Sequence, residues 1–405
     1  VQISTSSLYQ QGISSILAAQ AQVAQTQEQI STGKMVNVPS DNPVAATQIL
    51  QASDSQSINT QYASNQTMAQ SLLSQTDSTL SQVTNVMQNV STTLVSANNS
   101  SLSAANRQSL ATTLQSQLQD LVSLANTQDA QGNYLFAGYQ ASSPPFTQTA
   151  TGVQYTSDAG VRSVPVSGSR NIQTNVTGDT VFQRVRTGNG VFATGAALTN
   201  TGNAQIDAGQ VTSPSAVTGD NYSIQFAVAG GQTSYSVTDT STGQPVNAPA
   251  ASNAFTSGSA ISFDGMQMTI SGTPANGDTF TVAPSQNQSV FTSIEQAITM
   301  LQTSASATSG TGALGGLSTV LQNVQNALGQ VSSVQSGVGA RENELTTLGT
   351  MNTALNLQDT STISTLQSTN TAVAASNLAQ EQITLQAAEQ SFADISNNNL
   401  FSYIK

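Results

Sequence analysis

Leu73, Leu80, Met87 and Leu94 recur at intervals of seven, and Thr76, Val83, Val90 and Ala97 form a second row three positions behind them. That spacing is the seam of a helix packed lengthwise against another helix. Helical patterning runs from Pro43 to about Asn98 with hardly a break. A helix of about 55 residues is a rod about 80 Å long, longer than a compact domain is wide. Such a rod needs an equally long partner and suits a columnar assembly. The chain offers one in Leu317, Val324, Val331, Val338 and Leu345, again seven apart, with Leu321 and Leu328 in the offset row. The two seams are expected to face each other in an intramolecular bundle. A shorter helix, about 104–127, carries Leu110, Leu114, Leu118, Leu121 and Leu124 on one face.

The ends carry thinner seams. Tyr9, Ile16, Val23 and Ile30 are seven apart, with Gly12, Ala19 and Thr26 three further on. Leu378, Leu385 and Phe392 repeat at seven beside Ala388 and Ile395. So few large side chains do not offset the entropy of ordering the helices. The ends are therefore expected to be loose in an isolated chain and to serve as interfaces between subunits. Between the first thin seam and the long rod lies a polar elbow, Ser31-Thr-Gly-Lys-Met-Val-Asn-Val-Pro-Ser-Asp-Asn-Pro43. Gly33 stops one helix, Asn42 is the expected N-cap of the next and Pro43 its first residue, while Pro39 belongs to the turn between.

From about Gly138 to Pro284 the texture changes. Tyr134-Leu-Phe-Ala-Gly-Tyr139 reads as the start of a strand. Tyr222, Ile224, Phe226 and Val228 then alternate with polar residues, and Ala229-Gly-Gly-Gln supplies a turn. Asp264-Gly265 is a strong hairpin signal between Phe263 and Met268. This is an all-β insert in two lobes, about 138–186 and 205–284. A polar, glycine-rich loop spans Thr303 to Gly316.

The composition restricts function. Of 405 residues only 7% are charged, the net charge is −12, and there is no cysteine, histidine or tryptophan. Disulfides, thiolate chemistry and the usual structural zinc sites are excluded, and the commonest general base near neutral pH is missing. Eight basic residues, of which Arg184 and Arg186 come nearest to a cluster, argue against nucleic acid and anionic membranes as partners. No run approaches the ~20 apolar residues of a bilayer span. The first residues, Val-Gln-Ile-Ser-Thr-Ser-Ser-Leu-Tyr, have neither the basic nor the apolar region of a secretory signal. The expectation is a cytosolic chain, or one exported without a cleaved signal.

No catalytic, cofactor or metal site emerges. Gly310-Thr-Gly312-Ala-Leu-Gly315 matches a dinucleotide-binding pattern but lacks the preceding strand and the acid about 20 residues on. Glu342 and Glu344 are two apart on a helix and point in different directions, with Arg341 beside them. Asp239, Asp264 and Asp278 read as turn residues. Asn175-Val-Thr and Asn221-Tyr-Ser are chance acceptor triplets in a chain rich in Asn, Ser and Thr.

Several motifs carry a resemblance: Ile3-Ser-Thr, Gln29-Ile-Ser-Thr-Gly-Lys34, Pro39-Ser-Asp-Asn-Pro-Val-Ala-Ala46, and Leu124-Ala-Asn-Thr with Gly132-Asn-Tyr-Leu-Phe-Ala-Gly138. Together they resemble the hook-associated protein 3 family of bacterial flagella, within the flagellin superfamily. Gly219-Asp-Asn-Tyr-Ser-Ile and Gly272-Thr-Pro-Ala-Asn-Gly-Asp-Thr-Phe280 are similar to modules that some hook-associated proteins carry. Asn42 stands where the family elbow has an acid, and Ala374-Ala-Ser-Asn-Leu378 lacks the family's acidic residue. The resemblance implies a subunit exported unfolded by the flagellar type III apparatus and located outside the cell. It also implies a ring of like subunits on hook-associated protein 1, a layer onto which flagellin polymerises, and an export chaperone on the C-terminal helices.

The expected fold is α+β: a long antiparallel helical bundle or coiled coil, built by the N- and C-terminal segments, with a central all-β insert. The expected domains are 1–42 with 362–405, 43–137 with 289–361, and 138–288. The rival readings are a flagellin filament subunit and, in another class, a secreted surface adhesin; the residue inventory leaves an enzyme little room.

Overall fold

The computed structural model describes residues 5–99, 101–246, 253–306 and 312–397. Ile3, Gly310 and the tail from Leu400 to Lys405 lie outside them. The helices are α1 (Thr5–Thr32), α2 (Pro43–Ala97), α3 (Ala104–Ala125), α4 (Val290–Ala305), α5 (Leu317–Gln367) and α6 (Thr371–Asn397). The α+β arrangement is as expected, with helical arms from both ends of the chain and antiparallel sheets between them. Two compact units result, Val1–Ser64 with Thr347–Lys405, and Asn65–Thr346. Their boundaries fall inside α2 and α5, whereas the expected divisions are 42/43 and 361/362.

In the unit 65–346, α2 buries Leu73, Leu80, Val83, Met87, Val90, Leu94 and Ala97 completely. On α5, Leu317, Val324, Val331, Val338 and Leu345 are buried as well. Gln335 Nε2 donates to Ser81 Oγ (2.9 Å) and Gln70 Nε2 to Glu342 Oε1 (3.3 Å), which sets the two helices antiparallel. The offset row of α5 differs from the expected one: Val320 and Ala327 are buried, while Leu321 and Leu328 are half-buried. Val320 and Ala327 lie three residues after Leu317 and Val324, the same offset as in the α2 seam, whereas Leu321 and Leu328 lie four after and flank it. Ser103 and Ser289 cap α3 and α4 through their hydroxyls.

Tyr134–Tyr139 is not a strand. It is a chain turn that follows Gly132, at φ +84°, and buries Leu135, Phe136 and Ala137. The first strands are two hairpins, β1 (Phe146–Thr149) with β2 (Gly152–Tyr155) and β3 (Ser163–Ser167) with β4 (Arg170–Gln173). A π-helical turn, Asp179–Gln183, brings Phe182 against Phe136, Phe146 and Phe291 at ring separations of 5.3–5.5 Å. These four rings join the first hairpin to α4.

The second lobe begins and ends at a two-residue ladder, β5 (Val185–Arg186) with β14 (Asn287–Gln288). Inside it run β6 (Phe192–Ala196), β7 (Gln205–Ile206), β8 (Gln210–Val211), β9 (Tyr222–Ala229), β10 (Gln232–Asp239), β11 (Ala260–Phe263), β12 (Met266–Ser271) and β13 (Thr279–Pro284). One sheet has the order β10-β9-β13-β6, the other β11-β12-β7 with β8 also on β12. Their inner faces share one core, centred on Phe192, Tyr222, Ile224, Phe226, Ile270 and Phe280. Asp264 and Gly265 form the predicted hairpin turn, both at positive φ. The lobe's first sheet takes in β6, before the expected 205, because β6 pairs with β13 in an antiparallel register that no local pattern announces.

Candidate assembly interface

Within the unit 1–64 with 347–405, α1 and α6 lie side by side and antiparallel. Tyr9, Ile16, Val23 and Ile30 on α1, and Leu378, Leu385 and Phe392 on α6, are all half-buried. Tyr9 and Phe392 pack ring against ring. Ile395 lies on α6, and its side chain is outside the described residues. Only Thr26 on α1 and Ala374 on α6 are fully buried among the described residues of the pair, and both sit near the elbow. The seam therefore thins away from the elbow, and the pair hides no large side chain completely.

Sequence reasoning missed a second set of residues. Leu8, Ile13 and Leu17 on α1, and Val373 and Ile383 on α6, are exposed; Leu17 is 59% and Ile383 67% exposed. Ile13 and Leu17 are four apart and so form a short strip beside the seam. Five large apolar side chains of this helix pair thus stand in water.

The elbow orients this pair. Gly33 has φ +69°, which ends α1. Lys34 forms an antiparallel bridge with Ser368; Met35 N–H donates to Gln367 O (2.6 Å) and Thr369 N–H to Gly33 O (3.0 Å). The chain's two crossings between long and terminal helices are thus tied to each other. Asn42 Oδ1 accepts from Ala45 N–H at 3.0 Å, the N-cap expected for α2, and Pro43 is its first residue. Pro39 sits in a turn closed by Asp41 N–H donating to Val38 O (3.0 Å). Asp41 was not singled out from sequence, yet its carboxylate accepts from Asn37 N–H (2.9 Å), Val38 N–H (3.0 Å) and Gln25 Nε2 (3.2 Å). The amides of Val38 and Asn37 hold its pKa below the ordinary aspartate value. Asn370 repeats the device at α6, accepting from Ala372 and Val373 N–H.

Elsewhere the polar side chains are engaged in structure. Glu344 pairs with Arg170, and Arg341 donates to Gln173 Oε1. Asp239 and Asp278 accept from backbone N–H groups of their own turns, and buried Asn175 bridges Arg162, Ala137 and Gly160. A cleft of about 710 Å³ among β6, β13, α4 and α5 has one ionisable side chain on its wall, Glu295, which accepts from Val153 N–H. Among the described residues no three His, Cys, Asp or Glu side chains are placed to hold a metal, and no helix is long and apolar enough to cross a membrane.

Residues 3–141 match the family model of the bacterial flagellin N-terminal helical region, and 196–284 match the D2-like domain of flagellar hook-associated protein 1. Flagellar hook-associated protein 3 of Salmonella typhimurium is 33% identical over 187 residues, 46% of this chain and 58% of the relative. The match thus spans little more than half the length of that curated relative. The crystal structure of flagellar hook-associated protein 3 from Legionella pneumophila is 32% identical, with a TM-score of 0.72, covering 78% of this chain and 98% of that one. The crystal structure of FlgL from Xanthomonas campestris follows at 27% identity and a TM-score of 0.69, covering 76% of this chain and 98% of that one. With a relative matched over nearly its whole length in both sequence and architecture, the chain belongs to the flagellar hook-associated protein 3 family.

Proposed function

We propose that the chain is a structural, non-catalytic subunit of the bacterial flagellum at the junction between hook and filament. It forms a ring of like subunits on hook-associated protein 1 and presents the layer onto which flagellin polymerises. A flagellar export chaperone holds its C-terminal helices beforehand, and the chain reaches the outside of the cell through the type III apparatus. One observation carries the reading: α1 and α6 cover each other only halfway and leave Leu8, Ile13, Leu17, Val373 and Ile383 in water. In the ring, neighbouring copies complete the burial of Tyr9, Ile16, Val23, Ile30, Leu378, Leu385, Phe392 and Ile395. The elbow residues Gly33, Pro39, Asn42 and Pro43 fix the angle at which the pair is presented.

The test is complementation of a strain that lacks its own junction protein. The chain is expected to restore filaments on hooks, and Ile13→Asn with Ile383→Asn to abolish them while the isolated protein keeps its helix content. If electron microscopy found that the pure protein polymerises into long filaments unaided, a flagellin role would replace this one.

A further inference from the structure

One position of the α1–α6 seam carries a charge. Glu381 stands midway between Ala374 and Ala388, seven residues from each. With Ala19 and Gln22 of α1 and Asn377, Gln380 and Thr384 of α6, it lines a groove of about 270 Å³. Its Oε2 is fully covered and has no hydrogen-bond partner. Every other side chain on the groove is uncharged. A carboxylate oxygen shut away from water without a donor is costly, and an alanine, as at 374 and 388, avoids that cost. Polar groups in helical seams are kept where they select a partner or a register.

The charge inventory narrows the partner. Over residues 5–64 and 347–397 there are seven acidic side chains and a single cation, Lys34. Lys34 is exposed and forms no ion pair among the described residues. Its own chain cannot bring it to Glu381. The bridge partner of Lys34 is Ser368, thirteen residues before Glu381, which is about 20 Å at the helical rise per residue. Terminal units packing on one another therefore have one described cation to offer and one acid already sunk in a groove.

We infer that Glu381 receives Lys34 of a second copy of this chain, and that this ion pair sets the axial offset between neighbouring terminal units. The inference rests on the junction-subunit reading above and adds which groups meet.

The absence of cysteine makes the test clean. A chain carrying both Lys34→Cys and Glu381→Cys, exported and assembled on hooks, is expected to give disulfide-linked multimers on mild oxidation. The same chain, dilute and pure, is expected to give none, since bridged Cα atoms lie within about 7 Å. In parallel, Glu381→Lys and Lys34→Glu are each expected to lower the fraction of filament-bearing hooks about tenfold, as loss of a close charge pair does. The double reversal is expected to restore it. Wild-type chain that supports filaments, with no multimers and a double reversal no better than the singles, overturns the inference and leaves the junction reading intact. Wild-type chain that supports no filaments removes the junction reading itself.

Discussion

Tyr9 and Phe392 meet edge to face, with ring centroids 5.5 Å apart and ring planes at 88°. The contact lies toward the end of the α1–α6 pair away from the elbow, where little else is buried. Phe392 fits there because Gly12 has no side chain: a Cβ added to it would sit 2.6 Å from Phe392 Cδ2. Tyr9→Leu is expected to loosen this end by about 0.5–1.5 kcal/mol, the worth of an aromatic pair beyond its buried area. Gly12→Val pushes the ring away and goes further. Amide exchange over 5–16 and 385–397 should accelerate in both variants, and exchange over 70–97 should not change. Uniform acceleration along the whole chain would contradict a local role for the rings.

Two leucines separate folding from assembly. Leu80 has no exposed surface, and Leu80→Ala is expected to cost about 2–5 kcal/mol in chemical denaturation. Leu17 is mostly exposed, so Leu17→Ala should change stability by no more than about 0.5 kcal/mol. Its effect belongs to assembly, read as fewer filaments per cell. A Leu17 variant that loses stability but assembles normally would reverse these assignments.

The long seams were legible because each residue of the seven-spaced rows Leu73, Leu80, Met87, Leu94 and Leu317, Val324, Val331, Val338, Leu345 is buried, so the period survives intact in the sequence. The Asn42 cap was legible for a different reason: capping is local chemistry, written within four residues. What escaped has non-local causes. The strand Phe192–Ala196 holds its place by pairing with residues more than 80 positions on, and its Ala-Thr-Gly-Ala carries no alternation of its own. Tyr134–Tyr139 has strand-like composition, but Leu135 N–H donates to Thr127 O and Tyr134 N–H to Ala141 O, which folds it into a turn. Asp41 differs from other loop aspartates only in where the chain carries the amides of Asn37 and Val38. Nor does a half-apolar seam say whose surface covers it. Tyr9 and Phe392 find each other within one chain, while Ile13 and Leu17, off the seven-residue rows, remain in water.

Acid is expected to loosen the elbow. The folded-state pKa of Asp41 is lowered by the Val38 and Asn37 amides. A lowered pKa contributes stability above the unfolded value, about pH 4, and loses it as the pH falls through the folded value. Asp158, whose carboxylate accepts from Tyr139 and Gln140 N–H, behaves alike. Glu295 has the opposite sign, since burial raises its pKa. Its contribution is present in acid and is lost as the pH rises through that raised value. Glu295→Gln should therefore raise Tm at pH 7 relative to pH 4, because its amide oxygen can still accept from Val153 N–H. Asp41→Asn should flatten the acid limb of the same profile.

Arg107 ties the start of α3 to the end of α4. Its guanidinium is buried and donates through Nε (3.1 Å) and Nη2 (2.8 Å) to Ser304 O, and through Nη1 to Leu102 O. The carbonyl at a helix C-terminus carries partial negative charge, so a cation suits it. Arg107→Met keeps much of the packing and leaves these carbonyls without their donor, at a cost of about 1–3 kcal/mol. Arg107→Lys should recover little, because an ammonium lacks the planar fork that reaches two sites at once. Thermal unfolding of the three proteins decides it, and equal stability of the lysine and arginine forms would refute the geometric argument.

The second β lobe can be excised only at a cost to the helices beneath it. It enters and leaves through adjacent strands, with Asn287 opposite Arg186 and Gln288 opposite Val185, so a short turn can close the gap left by residues 188–285. The start of α5, however, is built against the lobe. Asn323 Oδ1 accepts from Gly188 N–H (2.7 Å), Thr319 and Thr194 hydroxyls lie 2.6 Å apart, and Gly315 O accepts from Ile206 N–H (3.0 Å). Removing the lobe strips these partners away and leaves polar groups around Thr319 and Asn323 to water. The shortened chain is therefore expected to unfold at a lower temperature, with its first loss of amide protection at 312–324. Its terminal helices and elbow are untouched, so complementation of a junction-deficient strain should persist at low temperature. A shortened chain that assembles no filaments at any temperature would show that the lobe itself contributes to assembly, and one as stable as the full chain would show that the α5 contacts carry no stability.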